Sequence, residues 1–461
     1  MEKKYLKTSE IFSFSTAGFG RSMIYNLMSI FLLIFYTDAM KLQPVHAGAI
    51  ILAARIFDAA NDPVMGIIAD KTKTKFGKLR PYLLFSPFLI LISTALLFNV
   101  PESFSYGGRL AYSAVTYILW GICFTIQDVP FWGMSAVVSP LENERNKFLS
   151  TARIFCTIGG IIPSVLVPVL SSDNSLGAVQ GYRVSGIIFA VLGSMLSLLA
   201  FFGTKERIEQ TKEKTSVKEI VTAYTKNAPL LLLILASILG SAMLMIQTSG
   251  SYIAKYLIQD SGIIPAGSVQ VSMTVAIGIG MMVAMVLMPI LRKKLSLKQI
   301  YIISALFGAV IHAIIYFAGY ANFYLLLALL VVAGLPLGIF NVITYAMVAD
   351  SVDYLEWKTG RRSEGICFAS QTFISKLTAG ISTFITSIAL EIIGFENLNT
   401  GISAAQTNKI LDGMFIMVSV IPAISLALCA VPMIFNKYTG KRKEEIQKEL
   451  AQRREKSNVN G

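Results

Sequence analysis

Arg55-Ile56-Phe57-Asp58-Ala59-Ala60-Asn61-Asp62-Pro63 lies inside an apolar segment that runs from about Val45 to Ala69. Wound as a helix, the stretch puts Arg55, Asp58 and Asp62 at i, i+3 and i+7, so all three project from one face. The segment is long enough to cross a bilayer, which takes about 20 residues. A charge at that depth costs between about 2.5 and more than 10 kcal/mol. Two acids on one stripe, with an arginine a turn away, therefore need a purpose other than solubility. Clusters of oxygen atoms suit hard cations, so Na⁺ or Li⁺ fits, as does a proton carried on a carboxylate. Asn61 adds a neutral oxygen beside Asp62. Pro63 removes a backbone donor and favours a bend that frees nearby carbonyls. The competing reading is a helix-end salt bridge in which Arg55 neutralises Asp58.

Outward from that stretch, the composition points the same way. The chain has 461 residues, 54% of them hydrophobic and 15% charged, and a mean hydropathy of +0.64. Water-soluble domains carry about 25% charged residues. The net charge of +13 does not indicate nucleic acid, because the basic residues gather in loops and tails between apolar segments, as cytoplasmic Lys and Arg do. Cys123, Cys156, Cys367 and Cys429 have no paired spacing and read as small buried residues. The first apolar segment is too long for a signal-peptide core and reads as a retained span.

The pattern predicts twelve transmembrane helices, at roughly 11–38, 45–70, 82–100, 109–139, 149–172, 182–203, 230–258, 267–291, 299–319, 322–350, 364–393 and 409–436. The longest polar interruption separates the sixth from the seventh. The expected organisation is a six-helix half at 1–203, a cytoplasmic linker at 204–229, a second six-helix half at 230–436 and a solvated helical tail at 437–461. Basic loops follow the second span (Lys71, Lys73, Lys75, Lys78, Arg80), the eighth (Arg292, Lys293, Lys294, Lys298) and the tenth (Lys358, Arg361, Arg362). The opposite loops are poor in Lys and Arg, so both termini are expected in the cytoplasm of a cell (inner) membrane protein. Charged stretches expected to be loops, Leu141 to Arg145 and Asp350 to Glu356, close spans four and ten. The two halves echo one another weakly, as in transporters that hold substrate between repeats near the midplane.

Further polar residues sit at membrane depth. In the fourth span Thr125, Asp128 and Trp132 stand at i, i+3 and i+7. An acid one turn from an indole suits a sugar, the carboxylate taking hydroxyl hydrogens and the ring covering the apolar sugar face. Taken alone, Trp132 would be an interfacial anchor. Arg153 in the fifth span is read as a mate for Asp128 or for substrate hydroxyls. Lys376 in the eleventh follows Gln371 and Thr372, with Thr372 on its own face. Arg21 and Lys255 are further candidates. His46 and His312 are isolated and read as structural.

At these residues the chain resembles a known family. Arg55-x-x-Asp58-x-x-Asn61-Asp62-Pro63 continues into Lys71-Thr72-Lys73-Thr74-Lys75-Phe76-Gly77-Lys78-Leu79-Arg80-Pro81. Asp128-x-Pro130-Phe131-Trp132 and Ala349-Asp350-Ser351-Val352-Asp353-Tyr354 follow in order. Together they resemble the glycoside–pentoside–hexuronide:cation symporters of the major facilitator superfamily over nearly the whole chain. The resemblance implies an all-α membrane protein of the major facilitator fold, with alternating access and no enzymatic chemistry. It implies a small-molecule sugar substrate, a coupling monovalent cation (Na⁺, H⁺ or Li⁺), no other cofactor, and Asp58, Asn61, Asp62 and Thr125 as cation ligands. Asp128, Trp132, Arg153, Gln371, Thr372 and Lys376 match positions that line the sugar pocket or link the halves. Arg21, Ser22 and Asn341 complete the expected pocket where the chain departs from the melibiose-carrying members. There an acid follows the first-span base, an aromatic hydroxyl stands at Phe124 and a tryptophan at Asn341. Without the acid, an α-galactoside fits less well and an anionic sugar such as a hexuronide fits better.

Asp70, Arg80, Asp350, Asp353, Glu356 and Arg362 are the expected gating residues, pairing charges of opposite sign at the cytoplasmic face. The expected partners are the sugar, the cation and membrane lipid, with no nucleic acid and a monomer as the functional unit. The alternatives are a lipid or amphiphile transporter, a membrane-embedded sugar transferase, and a sensor without transport. No H-E-x-x-H motif, phosphate-binding glycine loop or sizeable extramembrane domain favours the transferase.

Overall fold

The computed structural model describes residues 5–101, 103–172, 175–207, 225–258, 266–360, 364–395, 398 and 404–459. Among these, ten helices are long and apolar enough to cross a membrane, and eleven with the broken pair Ala228–Leu239 and Ser241–Leu257, which bends by 49°. The twelfth is the helix that opened the sequence analysis: Pro44–Lys71 spans 28 residues, but its buried charges lower its hydropathy. We number the helices in chain order: α1 Thr8–Ala39, α2 Pro44–Lys71, α3 Arg80–Phe98, α4 Tyr106–Val137, α5 Glu142–Leu170 and α6 Gly177–Gly203. Then come α7, the broken pair; α8 Ala266–Arg292; α9 Leu297–Ala318; α10 Phe323–Thr359; and α11 Glu364–Ile392. The last span, α12, is Ala404–Val418 with Val420–Ile434, and the tail helix α13 is Gly440–Val459.

The described chain divides into two compact units. One comprises Met1–Glu213, Gln247–Val271 and Thr386–Ile410; the other comprises Lys214–Ile246, Ser272–Ile385 and Leu411–Gly461. In the first unit α1 is the hub. Phe14 stacks between Phe131 of α4 and Phe148 of α5, with ring centroids 4.1 and 4.2 Å away. Aromatic rings so placed add about 0.5–1.5 kcal/mol each beyond the area they bury. Lipid offers no hydrophobic drive between helices, so close backbone approach has to supply the packing. Gly20 and Gly193 meet at the crossing of α1 and α6, where a methyl group on Gly20 would lie 2.7 Å from the Gly193 carbonyl oxygen. In the second unit Gly280 and Gly334 let α8 and α10 approach in the same way. Exposed Val286, Phe317, Phe202 and Ile392 fit a surface facing lipid.

Three details differ from the sequence reading. Both charged stretches expected as loops are helical: Glu142 to Arg145 is the first turn of α5, with Leu141 at its N-cap, and Asp350 to Glu356 is the last turns of α10. No breaker occurs before Gly360, which caps the helix with φ 73°. The tail is helical as expected, but one edge is not solvated: Ile446 and Leu450 are buried against Tyr354 and Trp357. The start of the linker is an anchor. The Glu206 carboxylate accepts the backbone N–H groups of Lys78, Leu79 and Arg80 at 2.8–3.0 Å, satisfying orphan donors at the start of α3. Arg207 donates to both carboxylate oxygens of Glu10, at 2.7 and 2.9 Å.

Candidate functional site

Asp58, Asn61 and Asp62 lie on α2, with Asp58 buried and the other two half-buried. Opposite them on α4, Thr125 is 1% exposed, and its hydroxyl donates to Asp62 Oδ1 at 3.0 Å. Asp58 packs on the backbone of Gly121, one turn before Thr125, where a methyl group would overlap its Oδ1. A glycine is required there for the carboxylate to sit against α4. Arg55 donates from Nη2 to Ser29 Oγ at 3.3 Å, and its guanidinium lies 5.4 Å from the Tyr25 ring centroid. Asp58, Asp62 and Thr125 thus share one α2/α4 interface, with Asn61 half-buried beside Asp62 and Arg55 held a turn away by α1.

Asp128 extends the same face of α4. The sequence reading offered Arg153 as its mate; the structure pairs it with Arg21 of α1. The Arg21 guanidinium is enclosed by the rings of Phe124, Phe131 and Trp132, with centroids 4.9, 5.2 and 5.4 Å away. A cation between aromatic faces gains attraction that strengthens as water is excluded, and Arg suits such stacking better than Lys. The replacement of an aromatic hydroxyl by Phe124 fits this arrangement, since the ring covers a guanidinium. Ser22 is buried next to Arg21. Arg153 is exposed and lies 5.9 Å from the centroid of Trp132. Among the described residues no carboxylate pairs with it. Trp132 therefore has the neutralised Arg21 near it on one side and, on the other, Arg153 with no carboxylate partner among the described residues.

In the second unit, Asn341 is exposed on α10 and donates to the Leu337 carbonyl of its own helix at 3.1 Å. Gln371 is 5% exposed, and its side-chain oxygen accepts no hydrogen bond among the described residues. Thr372 is exposed and Lys376 half-buried on α11. Of the gating candidates, Arg80 donates to the Phe201 carbonyl at 2.9 Å and covers the Phe201 ring. Asp350 pairs with Lys443 of the tail, while Asp353 and Glu356 are half-buried on α10. Asp70 belongs to α2, but its side chain is outside the described set, and Arg362 lies outside the described residues.

Sequence reasoning missed Asp38. It sits in a π-helical turn, Phe35–Ala39, that ends α1, and it accepts from Lys255 Nζ and, at 2.6 Å, from the Tyr256 hydroxyl. Those partners occupy a second π-helical turn, Ile253–Leu257, that ends α7. Thr37 and Tyr252 bond through their hydroxyls at 2.7 Å. Such turns concentrate at functional positions. The signal was an acid closing the first span and a base closing the seventh, matching ends of the two repeats.

A bundle of spanning helices with buried ionisable side chains on several spans is what a membrane transporter is expected to have. The family described as MFS/sugar transport protein matches residues 13–440, and the chain belongs to it. An uncharacterized symporter of Bacillus subtilis (strain 168), YjmB, is 32% identical over 464 residues, covering 98% of this chain and 97% of its own. The isoprimeverose transporter of Lactiplantibacillus pentosus is 28% identical, with 95% and 90% covered. The crystal structure of the nucleoside transporter NupG shares the fold, with a TM-score of 0.65 at 15% identity over 93% of this chain and 100% of that one. The protein is a multi-pass membrane transporter and not an enzyme.

Proposed function

We propose that the protein is a sugar–cation symporter with both termini in the cytoplasm. Na⁺ or H⁺ binds among Asp58, Asn61, Asp62 and Thr125, and the sugar beside it at Asp128 and Trp132. The observation that carries this reading is the Thr125–Asp62 hydrogen bond across α2 and α4. The helix that would hold the cation through Asp62 is thereby tied to the one bearing Asp128, three residues along from Thr125. Filling one site orders α4 for the other, and the coupling is reciprocal, of about 1–3 kcal/mol. The names of the relatives, a symporter and an isoprimeverose transporter, agree with this. Vesicles given an inward Na⁺ or H⁺ gradient should accumulate a labelled sugar against its own gradient. Equal uptake with and without both gradients would refute the coupling.

One observation favours an anionic sugar within that class. Arg21 is neutralised by Asp128, whereas Arg153 stands beside Trp132 with no carboxylate among the described residues. A guanidinium at membrane depth needs water or an anion, and a planar fork matches a carboxylate in two hydrogen bonds. A hexuronide would supply that carboxylate. Competition of labelled uptake by glucuronate against glucose, in the chain and in Arg153→Gln, tests it. Loss of the glucuronate advantage in the variant supports the reading, and a neutral sugar preferred by both refutes it.

A further inference from the structure

The second unit holds a cavity of about 220 Å³ at the end of its helices that carries the basic loop between α8 and α9. Its charged lining is Arg292, Lys298 and Lys443 against the single carboxylate of Asp350. Asp350 is already engaged by Lys443. Lys298 caps the end of α12 through the Ile434 and Asn436 carbonyls, at 2.7 and 3.0 Å. No described side chain forms a salt bridge with the Arg292 guanidinium.

Two helices begin at this cavity. Ser296 and Leu297 open α9, a helix of 22 residues, and Gly440 opens α13, a helix of 20. Helix N-termini offer backbone N–H groups and the positive end of the dipole to an anion; at α9 the Ser296–Gln299 capping box takes the N–H groups of Ser296 and Gln299, which leaves those of Leu297 and Lys298. An independent feature points the same way. Tyr438 lines the cavity and is 6% exposed, yet its hydroxyl has no hydrogen-bond partner among the described residues. A buried polar group without a partner is uncommon and calls for an occupant. Burial and the nearby Asp350 and Asp353 push the Tyr438 hydroxyl up from its ordinary range, so it stays protonated and is a donor. Asp350 apart, the charged side chains lining the cavity are cations, and Tyr438 adds a donor.

We propose that this cavity binds a phosphate group, as a phosphomonoester or phosphodiester, held by Arg292, the Tyr438 hydroxyl and the starts of α9 and α13. None of the proposed cation or sugar residues lines this cavity. Its occupant ties the tail helix to the loop between α8 and α9. The same chemistry is offered by a soluble sugar or polyol phosphate and by the headgroup of an acidic phospholipid.

The test uses the full chain with Tyr438→Phe, Arg292→Gln and, as a control on an exposed cation of the same tail, Lys441→Gln. The soluble arm is titration calorimetry with inorganic phosphate and glycerol 3-phosphate in a neutral detergent. The lipid arm is native mass spectrometry of protein taken from nanodiscs of phosphatidylglycerol or phosphatidylcholine. The expected result is one equivalent bound in one arm, weakened about tenfold (~1.4 kcal/mol) in Tyr438→Phe and Arg292→Gln and unchanged in Lys441→Gln. Binding in the soluble arm identifies a free phosphate, and selective retention of phosphatidylglycerol identifies the headgroup. No binding in either arm overturns the proposal. So does equal loss in all three variants, which would mark general attraction to a basic surface. Unliganded melting temperatures of the variants matching the parent show that the fold is kept.

Discussion

Thr125→Val isolates the link between the proposed cation site and α4. Valine keeps the branched shape of threonine and removes only the hydroxyl. That hydroxyl belongs to a residue 1% exposed and donates to Asp62 Oδ1 at 3.0 Å. A hydrogen bond to a charged group contributes about 1.5–3 kcal/mol. The same oxygen is a proposed cation ligand, so its loss should appear in cation affinity. At 1.4 kcal/mol per factor of ten, the half-activating cation concentration should rise about 10- to 150-fold. The assay is sugar uptake into oriented vesicles over a cation series at fixed membrane potential. Because coupling is reciprocal, apparent sugar affinity should fall at low cation and return to the parent value at saturation. A cation dependence within about twofold of the parent, far below the shift that loss of a hydrogen bond to a charged group should give, would refute the role of Thr125. A sugar defect that persists at saturating cation would refute the division between the two sites.

Gly121→Ala places a methyl group on Asp58 Oδ1 and should impair cation activation while sugar protection against thermal unfolding at high cation survives; unchanged activation would show that Asp58 does not need its position against α4. Asp128→Ala strips the partner from a buried Arg21 and should cost about 3–5 kcal/mol of stability, read as a fall in melting temperature, whereas Arg21→Met with Asp128→Leu should recover the stability without recovering transport. An equally unstable double variant would argue against the ion pair as the cause. Trp132→Ala should weaken sugar binding more than cation binding in paired titrations, and equal losses would indicate a folding defect. Glu206→Gln should lower thermal stability by removing the charge that three N–H groups at the start of α3 share, an effect absent if that contact is incidental.

The sequence was legible where physics leaves few choices. Acids at membrane depth are expensive, so Asp58 and Asp62 stood out as candidates before any contact was known, and apolar length located every span but α2, which its charges marked instead. Partner choice was not legible. Arg21 and Arg153 are both bases at membrane depth, and only the crossing of α1 with α4 decides that Asp128 takes the first. Asp38 escaped because it sits at a span end, where an acid is inexpensive and needs no explanation. Its significance lies in a π-helical turn and a partner 217 residues away. The fate of Asp350 was hidden for a similar reason, since its partner, Lys443, belongs to a tail whose composition reads as solvated.

The central claim is that the α2 carboxylates couple a cation to sugar movement, and Asp62→Asn tests it most directly. Asparagine keeps the shape and can still meet Thr125 but carries no charge. In vesicles of equal protein content, imposed Na⁺ and H⁺ gradients should no longer drive accumulation, while exchange of sugar across the membrane continues down its own gradient. Accumulation that remains stimulated by either cation would contradict the account.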